Sequence, residues 1–381
     1  MKPRLAILTE IIAPYRIPVF NALAARGDID LHVVFLSEND SSLRQWHVDT
    51  QGIRFSYEVL AALRLRPAGY NLLLNRGVSA ALRRAAPQAI LCGGYSYLAS
   101  WSAAFWARRH RVPLLLWSES TAHDARSLHA PVEFLKRRFR GLCSAFLAAG
   151  QSSRDYLLSL EVPPSKIFIA PNAVDVDFFS SIAGQARASA DAVRAKFHLP
   201  QRYFLYVGRL VREKGIFDLL AAYASLDDAA RANTGLVFVG DGPDRAELQQ
   251  QASHFASIRF TGFLQKEDTP QLYALADALV LPTHSDPWGL VVNEAMACSL
   301  PAVVSSVAGC AADLVIEGGT GFQFRPRDVE TLAALLRRWI EQPDLRASMG
   351  RQSFQHIQNY TPSKWAEGAA AAVRAFAEAG L

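Results

Sequence analysis

The sequence predicts an α/β protein built from two Rossmann-like, doubly wound parallel-sheet domains that face each other across a cleft. Three observations carry that expectation. The chain has 381 residues, more than one hydrophobic core usually serves. Short apolar runs alternate with helical segments along its length, and they fall into two series. The runs are continuously apolar, as strands covered on both faces are, and do not alternate in and out.

The first series comprises residues 5–8, 31–36, 89–92, 113–117 and 145–149, and the second comprises 203–207, 235–239, 258–261, 278–281 and 301–304. Between them, the Ala- and Ser-rich segment 177–199 reads as a linker and the start of the second domain. The expected domains are therefore 1–176 and 177–362, with a C-terminal helix, 363–381, crossing back to the first. Residues 85–107 carry no charge, which raises the question of a membrane span. Gly93-Gly94 interrupts the run, and a strand at 89–92 followed by a helix from about Ser96 to Arg111 accounts for it better.

Half of the residues are apolar and a fifth charged, the profile of a globular protein without low-complexity tracts. The start resembles a signal peptide only in Lys2 and Arg4, since Glu10 ends the apolar run, so the expected location is the cytoplasm. Cys92, Cys143, Cys298 and Cys310 form no Cys-x-x-Cys pair and read as reduced core residues. Charge is uneven: residues 1–175 hold 21 Lys+Arg against 13 Asp+Glu, a difference of +8, and the remainder is −3. The basic half favours an anionic partner. Arg108-Arg109-His110-Arg111 and Lys136-Arg137-Arg138-Phe139-Arg140, the latter after Val132, Phe134 and Leu135, could rest peripherally on an anionic membrane or equally form solvated helix faces. No nucleic-acid module accompanies them, which argues against that class of partner.

In doubly wound sheets ligands sit at the carboxyl ends of strands. After the run 278–281, Pro287 and Gly289 break regular structure and a helical segment follows, so N–H groups of Gly289, Leu290 and Val291 would form an anion site. Asp286 stands before that site and Glu294 one turn inside the helix, where a carboxylate can accept paired sugar hydroxyls; the same two acids could instead be an N-cap and a first-turn charge. After 203–207, Gly208 precedes Arg209 and Lys214, two cations suited to a diphosphate. Gly240 and Gly242 open a dinucleotide fingerprint that fails, because Arg245 occupies its third glycine position and no acid follows the next strand.

The segment His284-Ser-Asp-Pro-Trp-Gly-Leu-Val-Val-Asn-Glu294 resembles the E-P-F-G-L-V-x-x-E signature of the retaining family-4 glycosyltransferases of the GT-B fold, with Asp286 in place of the first Glu and Trp288 in place of Phe. Gly208-Arg-Leu-Val-Arg-Glu-Lys-Gly215 matches the family's G-R-L-x-x-x-K-G, and Gly240-Asp-Gly-Pro243 its G-x-G-P turn. The resemblance covers nearly the whole chain. It implies that Arg209 and Lys214 bind the donor diphosphate, that Asp286 meets the donor sugar, that Glu294 meets the ribose, and that Gly242, Phe263 and Leu264 lie near the nucleotide. Residues 9–20 lack the Gly-Gly loop of many relatives, and Tyr15, Arg16, Glu119 and His123 become candidates for a sugar or acceptor wall. The function implied is metal-independent transfer of a hexose from a nucleoside diphosphate sugar, a co-substrate with no further cofactor, to a glycan or polyprenyl- or lipid-linked acceptor in bacterial surface-glycan assembly. An epimerase or phosphorylase of the same frame and a non-catalytic sugar-nucleotide binder are the alternatives.

Overall fold

The computed structural model describes residues 2–38, 46, 48–65, 72–123 and 130–377. It divides into two compact units, Met1–Ala173 with Thr361–Leu381, and Val174–Tyr360. In the first unit the strands are β1 (Arg4–Thr9), β2 (Asp30–Phe35), β3 (Ser56–Val59), β4 (Ala62–Leu65), β5 (Leu72–Asn75), β6 (Ala89–Cys92), β7 (Leu114–Ser118), β8 (Ala145–Ala148) and β9 (Ile167–Ile169). Among the described residues, seven of them form one parallel sheet in the order β3-β2-β1-β6-β7-β8-β9, while β4 and β5 pair as an antiparallel hairpin. The order reverses direction between β1 and β6, where the loops that follow the two strands diverge to opposite sides. The strands legible in the sequence are the fully buried ones. The edge strands β3 and β9 are largely open to solvent and carry no continuous apolar run.

The helix Pro362–Ala377 belongs to this unit and is bound to it by small residues and one large one. Ala366, Ala369 and Ala370 are fully buried, and a Cβ on Gly368 would lie 2.0 Å from the Ile169 carbonyl oxygen, so only a hydrogen there lets the helix lie this close to β9. Trp365 fills the space beyond, with its ring 4.8 Å from Trp117 and 5.8 Å from Phe20. These rings join the side chains of β1, β2 and β7 in a single core.

The second unit contains β10 (Tyr203–Val207), β11 (Gly235–Val239), β12 (Ile258–Gly262), β13 (Ala278–Leu281), β14 (Ala302–Ser305) and β15 (Gly321–Phe324). They form a parallel sheet in the order β12-β11-β10-β13-β14-β15, which reverses between β10 and β13. The segment expected as a linker is instead two helices, Val176–Ala188 and Ala190–Phe197. Asp175 caps the first by accepting from the Phe178 N–H at 3.1 Å, and its alanines Ala183 and Ala186 are buried against the unit. Low side-chain volume, which read as linker composition, here permits close helix packing.

The segment 85–107 is β6 followed by the helix Leu98–His110, and no helix among the described residues is long and apolar enough to cross a membrane. The four cysteines are free and buried, and burial pushes the Cys92 thiol up to about 12.

Trp365→Ala should destabilise the protein by about 3–5 kcal/mol through the cavity it leaves. No acceptor reaches the Trp365 indole N–H among the described residues. Trp365→Phe should therefore cost much less, because it removes an unsatisfied buried donor along with some volume. Urea midpoints of the two variants check this, and equal losses would contradict it.

Candidate functional site

The reversal between β10 and β13 places the loops after these two strands side by side at the carboxyl edge of the second sheet. The β10 loop carries Gly208 and Arg209. Its path is fixed by Tyr206, whose hydroxyl donates to the Arg209 carbonyl at 2.8 Å; burial raises the pKa of that phenol, so it stays a donor. The Arg209 side chain is exposed and has no ion-pair partner among the described residues. A single 3₁₀ turn, Arg212–Lys214, then returns the chain toward the β13 loop.

Lys214 makes the connection between the loops. Its Nζ donates to Asp286 Oδ2 at 2.7 Å and to the Ser285 carbonyl at 3.2 Å. Asp286 Oδ1 accepts from the Trp288 N–H at 3.2 Å, so the same carboxylate holds the lysine and folds the turn. His284 adds a second link: its N–H donates to the Glu213 carbonyl at 2.9 Å, and its Nε2 lies 2.6 Å from Asp218 Oδ2. The β13 loop ends at Gly289, whose φ of 96° favours glycine, and where an added Cβ would also press on Leu281 Cδ2 at 2.8 Å. Gly289 is the N-cap of the helix Leu290–Ala297 and offers no side-chain cap. Leu290 and Val291 form its first turn, whose N–H groups can bind an anion.

One turn further in, Glu294 Oε2 accepts from the Tyr273 hydroxyl at 2.7 Å. Burial pushes the Glu294 carboxyl up to about 7, with the Tyr273 hydrogen bond acting in the opposite direction. The residue keeps part of its surface open, where ligand hydroxyls can reach it. Trp288 is buried, and its indole N–H donates to Asn293 Oδ1 at 2.8 Å. Relative to Phe, Trp brings a polar hydrogen that must be satisfied once buried, and Asn293 satisfies it.

The remaining donor-side candidates lie on the same sheet edge. Gly242 lies where the chain passes Leu210: an added Cβ would be 2.4 Å from the Leu210 carbonyl oxygen. Phe263 follows β12 and is exposed, with Leu264 half-buried beside it in the chain. Tyr273, Asn293 and Asp218 were not singled out in the sequence. Tyr273 and Asp218 come from other helices and have no spacing relation to the site; Asn293 stood next to Glu294, and the Phe-to-Trp change was its one readable signal.

Tyr15, Arg16, Glu119 and His123 belong to the first unit. Arg16 lies over the Trp117 ring at 4.0 Å and reaches Glu119 Oε2 at 3.2 Å, while Asn172 donates to Glu119 Oε1 at 2.8 Å. Burial works against the Arg16 charge, but Glu119 and Tyr15 outweigh it and raise the pKa of the guanidinium. The Glu119 carboxylate is thus held from two sides. Tyr15 packs edge-on to Trp46 at 5.9 Å. His123 is exposed, its backbone N–H donates to Thr121 Oγ1 at 3.2 Å, and among the described residues no hydrogen bond joins it to Glu119.

Glu294 should leave a mark on stability. Its folded pKa lies above its usual 4.5, so the native state holds a proton that the unfolded chain releases, and stability falls as pH rises from about 4.5 to about 7. Glu294→Gln removes that titration while keeping an acceptor for Tyr273. Between about pH 5 and about pH 8 the wild type should lose about 1–3 kcal/mol more than the variant in urea unfolding. Parallel pH profiles would show that the carboxyl titrates normally.

Two family models match the chain: Glycosyltransferase Family 4 over residues 19–178 and Glycosyl transferases group 1 over residues 190–356. Glycogen synthase of Mycobacterium tuberculosis is 33% identical over 239 residues, which is 61% of this chain and 53% of that protein. The chain spans about half the length of the curated relatives it matches. Among solved structures, HepE of Anabaena in complex with UDP superposes with a TM-score of 0.74 at 20% identity, covering 98% of this chain and 100% of that one. WaaG, a glycosyltransferase involved in lipopolysaccharide biosynthesis, gives 0.67 at 19% identity, covering 96% and 98%. With a parallel, doubly wound sheet in each unit and the two models following one another along nearly the whole sequence, the chain belongs to the group 1, family-4 glycosyltransferases of the GT-B fold.

Proposed function

We propose that the chain is a retaining glycosyltransferase that moves a hexose from a nucleoside diphosphate sugar to a glycan or lipid-linked acceptor, on the cytoplasmic side, in the assembly of a bacterial surface polysaccharide or lipopolysaccharide. The observation that carries this reading is the convergence of Lys214, Asp286 and an uncapped helix N-terminus at the reversal of the second sheet. Two relatives in fold support the finer points: HepE is a structure with UDP, and WaaG acts in lipopolysaccharide biosynthesis.

In the proposed reaction the bond between the anomeric carbon and the diphosphate oxygen breaks, and its electron pair leaves with the diphosphate. The acceptor hydroxyl forms the new bond on the same face, and its proton passes to the departing phosphate oxygen. The protein's task is to stabilise negative charge as it grows on the leaving group. Lys214 supplies a point charge already aimed by Asp286. Arg209, unpaired and exposed, supplies a planar fork for two phosphate oxygens, and the N–H groups of Leu290 and Val291 supply the helix dipole. Together they do the work a metal ion does in other transferases, so we propose that transfer needs none. Asp286 has a free edge for a sugar hydroxyl once the diphosphate competes for Lys214, and Glu294 accepts from the ribose. Phe263, Leu264 and the Gly242 turn flank the nucleoside, and the first unit, through the surface around Tyr15, Arg16 and His123, holds the acceptor.

Arg209→Ala and Lys214→Ala should each lower kcat/KM for donor turnover by about 100- to 1000-fold. Wild-type turnover should persist with a chelator present. Wild-type rates in both variants would contradict the assignment of the leaving-group site.

A further inference from the structure

The first unit presents large apolar side chains to solvent on three neighbouring elements. On the helix Leu98–His110, Leu98 and Phe105 are exposed, Phe105 to 62%. On the helix Ala130–Arg140, Val132, Phe134 and Leu135 are exposed, Phe134 also to 62%. On the β4–β5 hairpin, Leu63, Leu65 and Leu72 are exposed. These elements are packed together beneath their open faces: β5 lies against the helix Leu98–His110, and Trp101 of that helix meets Phe139 of the next at 5.1 Å. Leu73, Ala103 and Phe139 share one buried cluster, so each element has a satisfied inner face and an apolar outer one. A soluble surface rarely gathers this many exposed leucine and phenylalanine side chains in one region.

The charge around these residues is predominantly positive, although Arg64 pairs with Glu10 and Arg84 with Glu58. No Asp or Glu occurs between Glu58 and Glu119, while Arg64, Arg66, Arg76, Arg83, Arg84, Arg108, Arg109 and Arg111 do. Arginines also follow the exposed aromatic residues at helical spacing: Arg108 and Arg109 lie three and four residues after Phe105, and Arg137 and Arg138 lie three and four residues after Phe134. All four are exposed, and none has an ion-pair partner among the described residues. In the second helix Lys136 pairs with Glu133 at 2.6 Å, which leaves the arginines as its uncompensated charges.

We propose that this face, formed by the β4–β5 hairpin and the helices Leu98–His110 and Ala130–Arg140, docks on an anionic phospholipid surface. Phe105, Phe134 and the leucines enter the boundary between headgroups and acyl chains, and Arg108, Arg109, Arg137 and Arg138 meet lipid phosphates. The contact is interfacial, since no helix among the described residues can cross a bilayer. A second copy of the chain fits poorly as occupant, because a two-fold interface would set these arginines against their own equivalents. Docking concerns the first unit alone and does not depend on the transfer chemistry proposed for the second.

Co-sedimentation of the full chain with vesicles tests it. The wild type should bind vesicles containing phosphatidylglycerol, should not bind phosphatidylcholine alone, and should be partly released by salt. Phe105→Ser with Phe134→Ser should weaken binding at least about tenfold. So should Arg108→Gln, Arg109→Gln, Arg137→Gln and Arg138→Gln together, since each arginine near an anionic surface contributes a factor of about five. Thermal unfolding midpoints should match the wild type, and the arginine variant decides the matter if the serine variant does not fold. Absence of binding by the wild type, equal binding to neutral vesicles, or wild-type binding by the folded variants would overturn the proposal. So would a wild-type dimer that the serine variant abolishes, which would assign the face to a second copy.

Discussion

The ion pair between Lys214 and Asp286 is the contact on which the rest of the site depends. It spans the loops after β10 and β13, two strands adjacent in the sheet, and joins residues 72 apart in sequence. The sheet order reverses between them, and side-chain and backbone bonds join the two loops directly. Lys214 does this with two bonds, and the backbone link from His284 to Glu213 does it again a few residues away. The consequence is a lysine whose position is fixed by its own carboxylate, so that in the reaction proposed above an arriving diphosphate exchanges with Asp286 for a cation that is already in place.

The shortened carboxylate at position 286 has a structural sense within this frame. Asp286 uses one oxygen for Lys214 and the other for the Trp288 N–H, so its side chain is part of the turn as well as of the site. The bulkier indole that follows is buried and tied to Asn293 on the helix. The two departures from the family's pattern are thus neighbours in space, and together with Asn293 they lock the entrance to the helix Leu290–Ala297. A similar economy holds in the first unit, where Trp117 underlies Arg16 and also meets Trp365, so that the C-terminal helix supports the same strand that presents Glu119.

Legibility in the sequence followed burial for most strands; β15, buried but short and interrupted by Gln323, was not among the apolar runs. Strands β1, β2, β6, β7, β8, β10, β11, β13 and β14 are sealed on both faces, or nearly so, and their continuous apolar runs announced them, while β12, at the edge of the second sheet, is half open and was legible only from Ile258 and Phe260. Strands β3 and β9 lie at the edges of the first sheet, and β4 and β5 stand apart from it, so period and composition say little about them. The helices at 176–197 were misread as a linker because alanine and serine are common to loops and to closely packed helices alike. At the site, Arg209, Lys214, Asp286 and Glu294 were readable because local motifs carry them. Tyr273 and Asp218 were not, since their partnerships with Glu294 and His284 join segments 21 and 66 residues apart and leave no local pattern. Glu119 was readable as a residue near the end of β7, but its engagement by Arg16 and Asn172 was not.

The central claim is that the carboxyl edge of the second sheet, at the reversal between β10 and β13, is a nucleoside diphosphate site. Thermal unfolding of the wild type and of Glu294→Ala with UDP, GDP or ADP, each without metal, tests it most directly. A ligand that binds only the native state raises the midpoint by mass action. The account predicts a rise for at least one nucleotide in the wild type and its loss in Glu294→Ala; no rise with any of the three, or an equal rise in the variant, would contradict it.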